Sequence, residues 1–307
     1  MRSGLPRFDR ADSARRDAGV NCDRATWRPT LEAALDDEIV AATPVIGGDI
    51  GESFQVELAS GDLIFVKYYR DAPIGLAACE ARGLAWLSEA ETPIRISRPL
   101  AHDADWLALE WIESRPPVDD YAWRLGEGLA QLHQASPSHL GFSEQNWIGR
   151  LPQSNDPKPS WAEFYGANRI QPLQRLARDA ELLPDRLSRQ LDRLVDDLPQ
   201  LVGDDEPAAR LHGDLWSGNV LIDEQGLPCL IDPACYGGHR EIDLAMMRLF
   251  GGFGRGVFEA YEATAPLSPG ADARVALYQI YPLLVHVRLF GATYLGGLTR
   301  VVEEALA

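Results

Sequence analysis

Lysine is almost missing from this chain of 307 residues: two lysines, Lys67 and Lys158, stand against 27 arginines. Basic residues of either kind are outnumbered, 29 against 46 acidic ones, for a formal charge of −17. That balance argues against a nucleic-acid backbone or an anionic membrane surface as partner, because both require a basic face. It leaves room for a small anionic ligand, which needs only a few well-placed donors. Cysteine is scarce as well. Cys22, Cys79, Cys229 and Cys235 form no CxxC pair, and the Cys235/His239 spacing is a lone pair that ordinary packing explains. The N-terminus lacks the hydrophobic core of a signal peptide. The longest apolar stretch, 275–298, is interrupted by Pro282, His286 and Arg288, and reads as a buried helix rather than a membrane span. The expectation is a reduced cytoplasmic protein. Acidity with so little lysine fits a high-salt cytoplasm or a coding preference for arginine, and composition does not choose between them.

What is present begins with an expected extension over residues 1–26, rich in arginine and aspartate and poor in large apolar groups. Trp27, Leu31, Leu35 and Ile39 then recur at helical spacing. A strand-turn-strand pattern follows, with a glycine cluster (GGDIGES, 47–53), alternating Phe54, Val56 and Leu58, an SGD turn, and IFVKYY, 64–69. Residues 72–90 read as a helix with Leu76, Leu84 and Leu87 inward, and WLALEWIES (106–114) as a strand entering the break at Pro116–Pro117. Beyond it amphipathic helices dominate, apart from strand and turn signals at 211–236. The pattern predicts an α+β, bilobal molecule: a β-rich lobe over 27–112 and a larger, mostly helical lobe over 113–307.

Chemistry concentrates in LHGDLWSGNVLIDEQGLPCLIDPACYGG, 211–238. His212-x-Asp214 is followed at H-x-D-x4-N spacing by Asn219, the pattern of a kinase catalytic loop. Two short apolar strands around a DEQG turn then lead to Asp232. A hairpin returns the chain to its start, so Asn219 and Asp232 are expected side by side. One oxygen from each suits Mg²⁺ shared with nucleotide phosphates. Asp214 would face the acceptor hydroxyl. In the first lobe Gly47, Gly48, Asp49, Ile50, Gly51, Glu52 and Ser53 would cover the phosphates of ATP, and Lys67 on the next strand would reach them, positioned by Glu80. Backbone groups of Glu110, Trp111 and Ile112 would meet the adenine edge. Lysine fits this cleft because its ammonium is compact, whereas a guanidinium is larger and fork-shaped.

HGDLWSGN, IDPACYGGHREIDLAM and LFGGF resemble the fructosamine kinase (ketosamine-3-kinase) family, a branch of the protein-kinase-like superfamily close to aminoglycoside phosphotransferases. GFSEQNWIG (141–149), WAEFYGANRIQP (161–172) and LYQIYPLLVHVRLFGATYL (277–295) agree, so the resemblance spans residues 27–300. It implies ATP-dependent phosphorylation of the 3-hydroxyl of ketosamines, free or protein-bound, with ribulosamines or erythrulosamines favoured in bacterial-type members. It implies Asp214 as catalytic aspartate, Asn219 and Asp232 as Mg²⁺ ligands, and a Lys67–Glu80 ion pair. His212 and Asp243 would support the catalytic loop, and Trp216, His239 and Arg240 would line the acceptor pocket. Two departures stand out. Asp232 precedes Pro-Ala rather than Phe-Gly, so no protein-kinase activation switch is implied, and Gly51 stands where the family commonly has asparagine. The competing readings are another small-molecule kinase of the superfamily, acting on an aminoglycoside, choline or a sugar, and a catalytically inactive nucleotide binder.

Overall fold

The computed structural model describes residues 26–45 and 51–307. The expected extension over 1–26, Cys22, Gly47, Gly48, Asp49 and Ile50 therefore lie, but for Thr26, outside the described residues. The first helix, α1 (Arg28–Leu35), is shorter than the apolar spacing predicts. Asp36 turns left-handed at φ 54° and returns its N–H to the Glu32 carbonyl. Asp36, Asp37 and Glu38 would crowd carboxylates at the negative helix end, which disfavours continuation. Ile39 instead opens β1 (Ile39–Val45), opposite Leu58.

Then come β2 (Glu52–Leu58), β3 (Leu63–Tyr68), α2 (Leu76–Ser88), β4 (Arg95–Ile96), β5 (Pro99–His102) and β6 (Trp106–Glu110). Among the described residues five of these strands form one antiparallel sheet, in order β1-β2-β3-β6-β5. Side chains alternate across a strand. Ile64 and Val66 of β3 therefore face a core with Trp27, Leu31, Phe54 and Trp106. Phe65, Lys67 and Tyr69 take the opposite face, which α2 covers with Leu76, Leu84 and their neighbours. A charged residue reaches an apolar strand's buried face by this period of two.

The larger lobe holds α3 (Tyr121–Gln134), the hairpin β7 (Asn146–Ile148) and β8 (Leu151–Gln153), and α4 (Trp161–Phe164). The last continues through a π-helical turn, Tyr165–Ile170, into α5 (Gln171–Asp179), followed by α6 (Asp185–Leu201). Next are β9 (Ala209–Leu211), a 3-10 turn (Ser217–Asn219), β10 (Val220–Ile222), β11 (Pro228–Leu230) and β12 (Tyr236–Gly238). The chain closes with α7 (Glu241–Phe250), α8 (Arg255–Thr264), α9 (Ala271–Phe290) and α10 (Leu295–Ala305). The apolar stretch 275–298 is thus two helices: α9 runs through Pro282, and the break falls at Gly291, whose φ of 83° favours glycine. Leu191, Leu194 and Leu198 of α6 and Leu277, Ile280 and Leu284 of α9 belong to the same main core.

The lobes are joined by more than the linker. β4 pairs in parallel with β11, so a strand from the first lobe extends the hairpin of the second. Arg95 adds an ion cluster, reaching Glu110 (3.0 Å), Asp223 (3.3 Å) and Glu224 (2.8 Å).

Helices α3 and α8 meet at Gly126, where a Cβ would fall 2.1 Å from the Val257 carbonyl oxygen and 2.9 Å from the Tyr261 nitrogen. Gly126→Ala is expected to cost about 1–3 kcal/mol through overpacking. Thermal unfolding should register this as a drop of roughly 2–10 °C; an unchanged melting temperature would show that α8 recedes freely.

Candidate active site

The candidate catalytic loop is built between two paired strands. β9 and β12 run antiparallel, with Leu211 opposite Tyr236, and His212-Gly213-Asp214 leaves the end of β9. Gly213 has φ 82°, and a Cβ there would sit 2.1 Å from the Ala234 oxygen, so the crossing requires glycine. Asp243, in the first turn of α7, accepts from the main-chain N–H of His212 (2.8 Å) and of Gly213 (2.9 Å). It also contacts His133 Nε2 at 3.2 Å, and His133 Nδ1 meets the Tyr261 hydroxyl at 2.8 Å. Asp243 and His133 have no side-chain exposure, so the loop hangs from a fully buried anion.

His212 is held in one tautomer. Its Nδ1 accepts from the Asp214 N–H (3.3 Å), so the proton lies on Nε2, which donates to the Ile231 carbonyl (2.8 Å). Burial lowers its pKa below the ordinary 6.5 despite the nearby Asp243 charge. The hairpin β10–β11 brings Asn219 and Asp232 together: Ile231 N–H donates to the Asn219 carbonyl (3.1 Å), and Asn219 Nδ2 reaches the Asp232 carbonyl (3.4 Å). Asn219 Nδ2 also donates to the Asp214 main-chain oxygen (2.8 Å) and to Asp214 Oδ2 (3.2 Å). Asp232 adopts a left-handed conformation at φ 56°, which aspartate tolerates better than most residues.

The first lobe contributes from above. Lys67 Nζ lies 2.6 Å from Glu80 Oε1 and forms a second, closer ion pair with Asp232 Oδ1. Burial alone would lower the lysine pKa, but the Asp232 and Glu80 carboxylates outweigh it and raise it above the ordinary value, so the amine stays charged. Tyr69, two residues on and on the same strand face, donates its hydroxyl to Glu80 Oε2 at 2.5 Å. Both oxygens of Glu80 are therefore engaged. Period-two spacing from Lys67 was the signal by which Tyr69 was detectable; His133 had none.

The donor set suits a divalent ion carried by a nucleotide. Asn219 gives its Nδ2 to Asp214 and so keeps its amide oxygen as the donor atom for a cation, and the neighbouring Asp232 carries a carboxylate. Lys67 faces the two carboxylates of Glu80 and Asp232, and Asp214 adjoins them through Asn219, leaving a net negative site that a cation balances. Among the described residues no cluster of three or more His, Cys, Asp or Glu is arranged to hold a metal. Cys79, Cys229 and Cys235 are free and buried.

The remaining expected positions are differently engaged. Gly51 presses against the Tyr68 carbonyl, where a Cβ would fall at 2.5 Å, Glu52 pairs with Arg70 (2.8 Å), and Ser53 lies opposite Lys67. Glu110 directs its carboxylate to Arg95 and to the Arg98 N–H (3.0 Å), which leaves main-chain groups as what 110–112 can offer a base. Trp111 Nε1 is buried without a hydrogen-bond partner, and Ile112 is buried. Trp216 folds over Gly218 beside the catalytic loop, half-exposed. His239 is buried in a stack with Tyr278 (5.1 Å between centroids) and Trp161, and burial lowers its pKa. Arg240 grips Glu206 through Nε (2.7 Å) and Nη2 (2.9 Å) and donates to the Ala265 and Pro266 carbonyls. Its guanidinium thus ties the start of α7 to neighbouring loops.

A small antiparallel sheet lobe, a helical lobe, and a lysine–glutamate pair facing an H-x-D-x4-N loop and a following aspartate define a kinase-like phosphotransferase. The chain matches the family described as fructosamine kinase over residues 26–307, and it belongs to that family. It is 37% identical over 270 residues to a Synechocystis protein named a probable ketoamine kinase, covering 85% of this chain and 89% of the relative. Its identity to the chloroplastic protein-ribulosamine 3-kinase of Arabidopsis thaliana is 32% over 278 residues, covering 88% and 83%. A crystal structure from Thermobifida fusca, solved as a candidate fructosamine-3-kinase, superposes with a TM-score of 0.85 at 40% identity, covering 92% of this chain and 98% of that one.

Two outcomes follow. Tyr69→Phe frees one oxygen of a buried carboxylate, and a hydrogen bond to a charged group contributes about 1.5–3 kcal/mol. The Michaelis constant for ATP should rise roughly 10-fold or more, while that for the acceptor stays put; equal changes in both would assign Tyr69 to general packing. The second concerns pH. His212 and His239 both titrate below 6.5, so below that pH the unfolded chain binds protons that the folded chain does not. Stability should hold above pH 6.5 and decline as the pH falls below it, measured as melting temperature at pH 7.5, 6.5 and 5.5. A flat profile would mean that both rings protonate in place.

Proposed function

We propose that this protein transfers the γ-phosphoryl group of ATP to the 3-hydroxyl of ketosamines, the rearranged adducts of sugars with amines. The phosphorylated adduct is unstable, so its departure restores the free amine and the activity amounts to deglycation. Family membership supports the acceptor class. The observation that carries the mechanism is the Lys67 ammonium bridging Glu80 of one lobe and Asp232 of the other, directly beside Asn219 and Asp214.

In this reading residues 27–112 bind the nucleotide and 113–307 bind the acceptor and carry the catalytic loop. Residues 47–53 cover the phosphates, and main-chain groups of 110–112 meet the adenine edge. Lys67, fixed by Glu80, holds phosphate oxygens. Asn219 and Asp232 would hold Mg²⁺, which when bound would supply positive charge against the phosphates. Asp214 accepts the hydroxyl proton as the acceptor oxygen bonds to the γ-phosphorus and the β–γ bridging bond breaks. Its carboxylate is turned toward that task by Asn219 Nδ2, and its main chain is fixed through His212 and Asp243. Trp216, beside the loop, offers an indole face to the sugar or its amine. His239 and Arg240 act on the acceptor side, Arg240 by shaping the pocket through Glu206.

The test is ATP-dependent phosphorylation of ribulosamine-lysine, with an aminoglycoside as competing acceptor. Turnover of the first and not the second is expected, and the reverse would overturn the acceptor assignment. Asp214→Asn should lower kcat by about 10²–10⁴-fold, the usual range for a positioned base, with ATP binding retained. Lys67→Arg should lower kcat/KM for ATP on the order of 10²-fold, as loss of a placed donor does. An active arginine variant would show that charge alone suffices.

A further inference from the structure

We propose that Asn146 and Gln153 are positioning residues for Asp232, and that a buried amide network, with the cation of Arg169 behind it, fixes the metal-binding strap. The inference rests on the reading of Asp232 and Asn219 as metal ligands.

The strap 231–236 is bonded on both sides. Toward the catalytic loop, Ala234 N–H donates to the His212 carbonyl (2.9 Å), and Ile231 is bonded through its N–H and its carbonyl. Toward the β7–β8 hairpin, Asn146 Nδ2 donates to the Cys235 carbonyl (2.7 Å) and Gln153 Nε2 to the Ala234 carbonyl (3.1 Å). A carbonyl only accepts, so these bonds fix which way each amide points. The Asn146 oxygen then receives Gln153 Nε2 (2.9 Å) and Asn155 Nδ2 (2.8 Å). Asn155 in turn accepts from Arg169 Nη2 (3.1 Å), and Tyr281 donates its hydroxyl to the Gln153 oxygen.

Arg169 is fully buried, and among the described residues no carboxylate pairs with it. It sits 3.8 Å above the Tyr236 ring and 4.7 Å from the Phe164 ring, on the π-helical turn, a feature frequent at functional sites. A buried cation without an anion is costly, and here only hydrogen bonds to Ser154, Asn155 and Asn168 and the ring faces offset it. Here the amide network it joins ends on the carbonyls of Ala234 and Cys235, two and three residues after Asp232. Asn146, Arg169 and Tyr281 come from three separate stretches, 141–149, 161–172 and 277–295, and they converge on this one strap. Asp232 lies in no strand or helix; Lys67 holds its carboxylate and Asn219 reaches its carbonyl, and the network fixes the main chain that follows it.

The experiment uses the full chain, ADP and Mn²⁺ as probes, and the variants Asn146→Leu and Gln153→Met, with thermal melting as the check of folding. Mn²⁺ affinity in the presence of saturating ADP is read by electron paramagnetic resonance, and ADP affinity without metal by titration in EDTA. Partners that orient a metal ligand typically account for 10–100-fold in metal affinity. Each folded variant should lose about 10-fold or more in Mn²⁺ affinity, with metal-free ADP affinity unchanged. Unchanged Mn²⁺ affinity, or parallel losses of Mn²⁺ and metal-free ADP binding, would overturn the proposal. If Asn146→Leu fails to fold, Gln153→Met decides alone. A wild type that binds ADP with no Mn²⁺ bound alongside would instead remove the assignment of Asn219 and Asp232, and the positioning role with it.

Discussion

The Lys67 ammonium, buried between Glu80 and Asp232, is the interaction on which the rest of the site depends. It joins a strand, a helix and a loop that are remote in sequence: β3, α2 and the strap after β11. Taking these charges out of water costs several kcal/mol per ion, so the triad contributes little to stability by itself. Its value lies in geometry. The ammonium brings one carboxylate of each lobe to a common point, and the β4–β11 pairing with the Arg95 cluster keeps the lobes in register around it.

A second buried carboxylate performs the equivalent task for the proposed catalytic loop. Asp243 receives two main-chain N–H groups and faces His133, which is steadied by Tyr261 on α8. The close approach of α3 and α8 at Gly126 is therefore connected to the loop. His133 rides on one helix and Tyr261 on the other, and any gap between them displaces the support of Asp243. Stability of the helical lobe and placement of Asp214 are linked through this chain of three side chains.

Much of this was legible because the chemistry is local. His212, Asp214, Asn219 and Asp232 lie within 21 consecutive residues whose hairpin is written in apolar strands and a DEQG turn. Lys67 stood out against an arginine background, and Glu80 followed from the helix after it. The misreading of α1 has an equally local cause. Apolar spacing carried α1 through to Ile39, but acidic crowding and a left-handed Asp36 ended it four residues sooner. The ion pair of Arg240 with Glu206, 34 residues away, was not foreseeable from position. The network around Arg169 was invisible for the same reason, since each of its bonds to the strap crosses some 80 residues. Contacts of that span leave no periodicity in a single sequence.

The preference for lysine at position 67 has a geometric basis. An ammonium has three donors arranged about one atom. Among the described residues these donors meet Glu80 and Asp232, and the proposed phosphate contact would draw on the same nitrogen. A guanidinium spreads its donors over a plane several ångströms wide and would satisfy one carboxylate bidentately. It would then push the other away, or move the strand that carries it. Ser53 on one flank and Leu107 on the other are paired with Lys67 in the sheet, so the strand has little freedom to shift. A chain that uses arginine almost everywhere else has lysine where two carboxylates from separate lobes converge on a single nitrogen.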